Sequence, residues 1–247
     1  MARFLAGNTQ TYNSRMPFRP VSPMARKGGV APSSPEPAPI ALQLQQGVVL
    51  HQQGKFQEAR ALYEAVLRHA PSNFDALHLL GVIAAQTQDN TRALQLFNQA
   101  LKVNPGSADA LSNRGIALKN LNRFSQALES LEKALALKPD FADAHNNRGI
   151  VLQELGRFDA SLSSYDQALK LKPDFAEAVF NRGRVLTELR RFDEAINHYD
   201  RALALRPGYP DARFNKSIAL LREGFFEAAW SLHESRWDVK HAGFKKR

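Results

Sequence analysis

His233-Glu234 opens like the helix signature of a zinc protease, in which a second His four residues on completes a two-imidazole face, but Trp237 stands in that place. Ser130 and Lys133 have the Ser-x-x-Lys spacing of a nucleophile with its base, yet no partner motifs accompany them. Asn215-Lys216-Ser217 is a formal glycosylation sequon that the pattern sets in mid-helix. The seven His residues are scattered, and the absence of Cys removes disulfides, thiolate metal sites and cysteine nucleophiles. No phosphate-binding Gly loop or strand-turn-helix nucleophile occurs. The expectation is therefore a chain that is not an enzyme, with no cofactor and no metal. One set of polar side chains does keep a strict spacing: Asn113, Asn147, Asn181 and Asn215 recur every 34 residues. A side-chain amide offers an acceptor and a donor together, so each could hold one peptide unit of an extended ligand. That is binding chemistry.

The elements that must position these amides follow from the same period. Gly47 with Pro71, Gly81 with Pro105, Gly115 with Pro139, Gly149 with Pro173 and Gly183 with Pro207 are five Gly–Pro pairs, each 34 residues after the last. A repeat of this length is a unit that cannot bury its apolar face alone and must stack on copies of itself, which makes the chain one solenoid. With positions counted from 1 to 34 and the second repeat beginning at Phe74, Gly falls at position 8 and Pro at position 32. Two helices fit between these breakers. Position 8 is small where the helices cross closely, and position 15, held by Gly54, Gly156 and Gly224, is the turn. Asn122 suits a left-handed turn, whereas Arg190 implies either strain of about 1 kcal/mol or a reshaped turn. Phe56, Phe124, Phe158, Phe192 and Phe226 follow the turn and are expected to pack back into the pair. Lys-Pro or Arg-Pro then stops the second helix.

These residues carry a resemblance to the tetratricopeptide repeat (TPR) family, over residues 40 to about 237. Position 20 holds Ala59, Ala93, Ala127 and Ala195, with Ser161 departing; position 24 holds Tyr63, Phe97, Leu131, Tyr165 and Tyr199; position 27 holds Ala100, Ala134, Ala168 and Ala202. The resemblance implies an all-α superhelical solenoid of antiparallel helix pairs. Its repeats are 40–73, 74–107, 108–141, 142–175, 176–209 and a partial 210–237.

The formal charge of +9 raises nucleic acid as a partner, and its distribution argues against one. Residues 40–237 carry 24 Lys plus Arg and 22 Asp plus Glu, residues 1–39 carry 5 and 1, and residues 238–247 carry 4 and 1. The basicity sits in the two tails, and a near-neutral array has no phosphate-tracking groove. Residues 1–39, with seven prolines and a single acid, are expected to be a disordered basic tail, as 238–247 is a second basic tail. No apolar run approaches a membrane span, and the chain is expected to be cytoplasmic.

In TPR arrays position 6 lies on the first helix and faces the concave groove, so the resemblance implies that Asn113, Asn147, Asn181 and Asn215 line it. Position 2 adds an acidic row, Asp75, Asp109, Asp143, Glu177 and Asp211, and position 5 adds His78, Asn146, Phe180 and Phe214. A basic or polar extended peptide is the expected ligand, at about 0.5–1.5 kcal/mol per hydrogen bond. The carboxylate clamp of cochaperone TPR domains needs cations at position 2, where this chain has acids. Arg114, Arg148, Arg182 and Lys216 at position 7 stand where the family commonly has Leu, with stems expected to pack and heads to reach water.

The sixth repeat reads Gly224, Phe226, Trp230, Glu234, Arg236 and Trp237, with no Pro to follow. This is similar to the last TPR of bacterial proteins whose array leads into a glycosyltransferase domain related to O-linked N-acetylglucosamine transferase. Here His233 and Ala229 replace a Tyr and a Gly of that pattern. The ten residues after Trp237 are not expected to form a nucleotide-sugar site, so any catalysis is expected to come from another chain. Phe226, Trp230 and Trp237 are expected to form a docking end, for a catalytic chain or for a second copy.

Overall fold

The computed structural model describes residues 38–233, and within them every regular element is an α-helix. Expectations placed on 1–37 and 234–247, including most of the two basic tails and the roles of Glu234, Arg236 and Trp237, lie outside the described residues. The chain divides into two compact bodies at Lys138–Pro139.

The N-terminal body holds three consecutive helix pairs: α1 (Ala38–Gln52) with α2 (Phe56–His69), α3 (Phe74–Gln86) with α4 (Asn90–Val103), and α5 (Ala108–Asn120) with α6 (Phe124–Leu137). The C-terminal body repeats the plan with α7 (Ala142–Glu154) and α8 (Phe158–Leu171), α9 (Ala176–Glu188) and α10 (Phe192–Leu205), and α11 (Pro210–Glu223) and α12 (Phe226–His233). Within each body, every helix packs on the one before it in the chain. From the second repeat on, each first helix begins at position 1. Lys138, Lys172 and Arg206 cap the second helices that Pro139, Pro173 and Pro207 terminate.

Position 8 is glycine in the first five repeats because the position-24 side chain of the partner helix occupies the space of its Cβ. A Cβ on Gly149 would lie 2.5 Å from Tyr165 Cε1, and one on Gly183 would lie 2.8 Å from Tyr199 Cε1. Real carbon contacts do not come so close. Tyr63, Phe97, Leu131, Tyr165 and Tyr199 are accordingly fully buried. The sixth repeat solves the crossing differently. Ser217 takes position 8, His233 takes position 24, and their Oγ and Nδ1 meet at 3.2 Å.

The turn at position 15 has one backbone solution in all six repeats. Gly54, Gly156 and Gly224 have φ of 76°, 70° and 85°, and Gln88, Asn122 and Arg190 adopt the same left-handed region at 67°, 58° and 59°. The turn at Arg190 is thus kept, with its strain, rather than reshaped.

The two bodies start their helices differently. Asn73, Asp89 and Ser107 in the N-terminal body accept from the backbone N–H three residues on, at 2.9, 2.9 and 3.2 Å. Such a cap is worth about 1 kcal/mol. In the C-terminal body the equivalents of Asn73 and Ser107 are aromatic, and Phe175 and Tyr209 are buried in the core cluster instead. Lys172 Nζ sits 4.7 Å over the Phe175 ring and the Arg206 guanidinium 4.8 Å over Tyr209, so the cations that end each second helix also cover these rings.

Candidate peptide-binding site

The position-6 amides begin with their own helices. Asn113 is on α5 in the N-terminal body; Asn147, Asn181 and Asn215 are on α7, α9 and α11 in the C-terminal body. Asn113, Asn147 and Asn181 are buried, and Asn215 is half-buried. Asn113 Nδ2 donates to His78 Nε2 at 2.9 Å, and Asn181 Nδ2 donates to Asn146 Oδ1 at 3.1 Å. Both bonds run from position 6 to position 5 of the preceding repeat, 35 residues back. The residue 35 before Asn215 is Phe180, whose side chain offers no acceptor, and Asn215 Nδ2 donates to Asp211 O in its own helix at 2.8 Å. Asn147 Oδ1 is buried without a hydrogen-bond partner.

Position 5 accordingly lies inside. His78 is buried between Phe74, stacked at 5.6 Å, and Phe97 at 5.7 Å. Burial pushes its imidazole down to about 4, so the ring is neutral at physiological pH and Nε2 is free to accept from Asn113. Asn146 is fully buried. Phe180 is in the core of the C-terminal body, 4.9 Å from Tyr209 and 5.9 Å from Tyr199. Phe214 is half-buried, with its ring 5.6 Å from His233.

The acidic row is more open. Asp109, Asp143, Glu177 and Asp211 are half-buried in the first turns of α5, α7, α9 and α11, where a carboxylate favours the helix dipole. Glu177 also accepts from Arg206 Nη2, the residue that caps α10.

The position-7 cations serve the side facing the second helices. Arg114 Nε donates to Ser130 Oγ at 3.0 Å, across its own pair. Arg182 reaches both ways: Nε to Asp166 Oδ1 of the preceding repeat at 2.8 Å, and Nη1 to His198 Nε2 of its own at 2.7 Å. Lys216 makes the same backward bridge to Asp200. His198 Nδ1 lies 2.9 Å from Glu194 O, so its proton is committed there and Nε2 accepts. Burial holds the His198 imidazole below its ordinary value. These contacts were not foreseen from the sequence, although a basic residue 16 positions after an acid, as in Asp166 with Arg182 and Asp200 with Lys216, is the signal that marks the bridges.

At the end of the C-terminal body, Phe225, Phe226 and Trp230 are exposed, with Trp230 edge-on to His233 at 5.5 Å. Phe226 does not pack back into its pair as expected, while Phe56, Phe124, Phe158 and Phe192 are each half-buried. No described helix is long and apolar enough to cross a membrane.

Comparison with known proteins adds the family. One tetratricopeptide repeat model matches residues 44–108, 147–210 and 182–232, and a second matches 80–146. No curated protein sequence matches the chain. Among solved structures, the type IV pilus biogenesis factor PilW is 20% identical, covering 84% of this chain and 97% of its own at a TM-score of 0.76. A thermophilic TPR protein of Thermus thermophilus is 27% identical, covering 74% and 99% at 0.61. YrrB, described as a TPR protein with an unusual peptide-binding site, is 21% identical, covering 72% and 92% at 0.56. With family models matching repeat after repeat from residue 44 to 232, this all-α chain belongs to the tetratricopeptide repeat family.

Proposed function

We propose that the chain is a non-enzymatic scaffold for protein–protein interaction, holding an extended, basic or polar peptide segment along its first helices. The observation that carries this is the recurrence of a half-buried acid at position 2, Asp109 in one body and Asp143, Glu177 and Asp211 in the other, beside the position-6 amides. Asn113 and Asn181 are held in one orientation by their inter-repeat bonds, so recruiting their remaining polar valences costs little side-chain entropy. Asn147 and Asn215 complete the set, with Phe214 as an apolar neighbour. Phe180 supports the surface from within the core rather than touching the ligand. YrrB, with its unusual peptide-binding site, is a precedent for this use of the fold.

Replacing the amides by Ala would be an ambiguous test, because it strips buried His78 and Asn146 of a partner as well. The acidic row is cleaner. Lys- and Arg-containing extended peptides should bind the intact chain with a salt-sensitive affinity. Asp143→Asn, Glu177→Gln and Asp211→Asn together should weaken that binding about tenfold or more without loss of helicity. Unchanged affinity in the triple variant would remove the acidic row from the site.

A second reading is a substrate-recognition arm of a glycosyltransferase related to O-linked N-acetylglucosamine transferase, with catalysis supplied by another chain. The left-handed Gly224 followed by exposed Phe226 and Trp230 favours it, since these are the residues of that terminal pattern within the described part. Both readings suit a cytoplasmic protein without disulfides. Co-expression with a catalytic domain of that class, followed by recovery of a stable complex dependent on Trp230, is the experiment that separates the second from the first.

A further inference from the structure

The first and last helix pairs expose positions that interior repeats bury. At position 3 the interior residue is a fully buried Ala in every repeat from Ala76 to Ala212, but the first repeat has Leu42, 54% exposed. At position 10 the interior residues Ile83, Ala117, Val151, Val185 and Ala219 are buried, but Val49 is 47% exposed. Leu42 and Val49 are seven residues apart and so lie on one face of α1. The complementary side is found on second helices. Position 21 is buried at Leu94 and Leu162, and in the C-terminal body Leu162 belongs to the same apolar cluster as Ala178 and Val185, positions 3 and 10 of the next repeat. In the sixth repeat position 21 is Trp230, 59% exposed, with Phe226 beside it at 61%.

The terminal helices of a repeat array ordinarily carry a polar outer face that blocks further stacking. Here α1 contains no Asp, Glu, Lys or Arg between Ala38 and Gln52, and α12 presents Phe226 and Trp230, with exposed Phe225 just before it. One end offers the surface that receives a second helix, and the other offers a second helix with nothing described over it. From this equivalence we propose that two copies of the chain associate head to tail, with α12 of one copy docked through Phe226 and Trp230 onto Leu42 and Val49 of α1 of the next. The contact continues, between molecules, the repeat-on-repeat packing already present inside each body. It is heterologous, because a copy uses a different face toward each neighbour, so association does not stop at a dimer unless the chain of copies closes.

Sedimentation equilibrium of the full chain across a concentration series tests this. The wild type should show species larger than dimers, and Leu42→Glu and Trp230→Glu should each weaken association about tenfold or more. An equimolar mixture of the two variants should restore one contact only, that of the Trp230 face of the Leu42→Glu chain on the Leu42 face of the Trp230→Glu chain, and stop at a dimer. Val49→Glu and Phe226→Glu, also at exposed positions, repeat the test with independent substitutions, and circular dichroism confirms that all four fold. A wild type that stays monomeric throughout would overturn the proposal and assign cover of these faces to residues 1–37 or 234–247. Association abolished by Trp230→Glu but untouched by Leu42→Glu would overturn it in favour of α12 pairing with itself. Neither outcome bears on the acidic row, so failure here and failure of the peptide site are separable.

Discussion

Asn181 donates its side-chain amide to Asn146 Oδ1 at 3.1 Å, linking α9 to α7 across one full repeat inside the C-terminal body. Asn146 is fully buried, so its Oδ1 has no water to turn to instead. Asn146→Leu should therefore cost about 1–3 kcal/mol, chiefly by leaving the Asn181 amide without its acceptor. Asn146→Leu with Asn181→Leu should cost less than the sum of the single changes, by about 0.5–3 kcal/mol. Urea unfolding of the four variants closes the cycle, and strict additivity would show that the two amides do not act as a pair.

Gly149 and Gly156 are both glycines of the fourth repeat but are required for different reasons, which Ala substitution separates. Gly149→Ala drives a Cβ into the Tyr165 ring and should cost about 1–3 kcal/mol by overpacking. Gly156→Ala meets no atom within 4 Å, so only its φ of 70° is penalised, at about 1 kcal/mol. Pairing each with Tyr165→Ala distinguishes them: the first penalty shrinks when the ring is removed, and the second does not.

Arg190 keeps a left-handed turn at φ 59° that glycine would adopt without a Cβ penalty. Arg190→Gly should leave helicity unchanged and raise stability by up to about 1 kcal/mol, since the strain removed exceeds the added freedom of the unfolded chain. Thermal melts of the two proteins decide this, and a lower midpoint for the glycine variant would mean that the Arg190 side chain contributes more than its backbone costs.

His78 contributes to the acid response of the N-terminal body. Its folded-state value of about 4 lies below the ordinary 6.5, so the unfolded chain binds the proton first as pH falls. The stability it contributes is complete above about pH 6.5 and is lost as pH falls toward 4, amounting to about 3 kcal/mol. His78→Asn places at position 5 the acceptor that Asn146 already supplies to Asn181, and should remove this slope while keeping the bond from Asn113. Unfolding free energies compared between the two proteins from neutral pH to about pH 4 cancel the titration of the shared carboxylates. Equal slopes would exclude His78 as the source.

The helices were legible in the chain because each boundary is a covalent constraint: Pro ends a second helix, and Gly or Asn permits the turn. Gln88 was harder, since nothing in glutamine announces a positive φ; only its place 34 residues after Gly54 does. The candidate site was legible as rows but not as exposure. Asn113 and Asn181 repeat in phase whether they face a ligand or a neighbouring helix, and the partner that occupies them, His78 or Asn146, is 35 residues away on a position the period does not mark as polar. Phe180 shows the same limit, because an aromatic residue among variable position-5 neighbours can serve a groove or a core, and the nearness of Tyr199 and Tyr209 decides for the core.

The bridges that Arg182 and Lys216 throw back to Asp166 and Asp200 give the C-terminal body a mechanical property. Each is a strut between successive helix pairs, with its cation shielded and its carboxylate open to solvent. Dissolved ions weaken the carboxylate end far more than they weaken the apolar packing beneath. The resistance of one pair to twisting against the next should therefore fall as ionic strength rises, while the apolar packing keeps the helices folded.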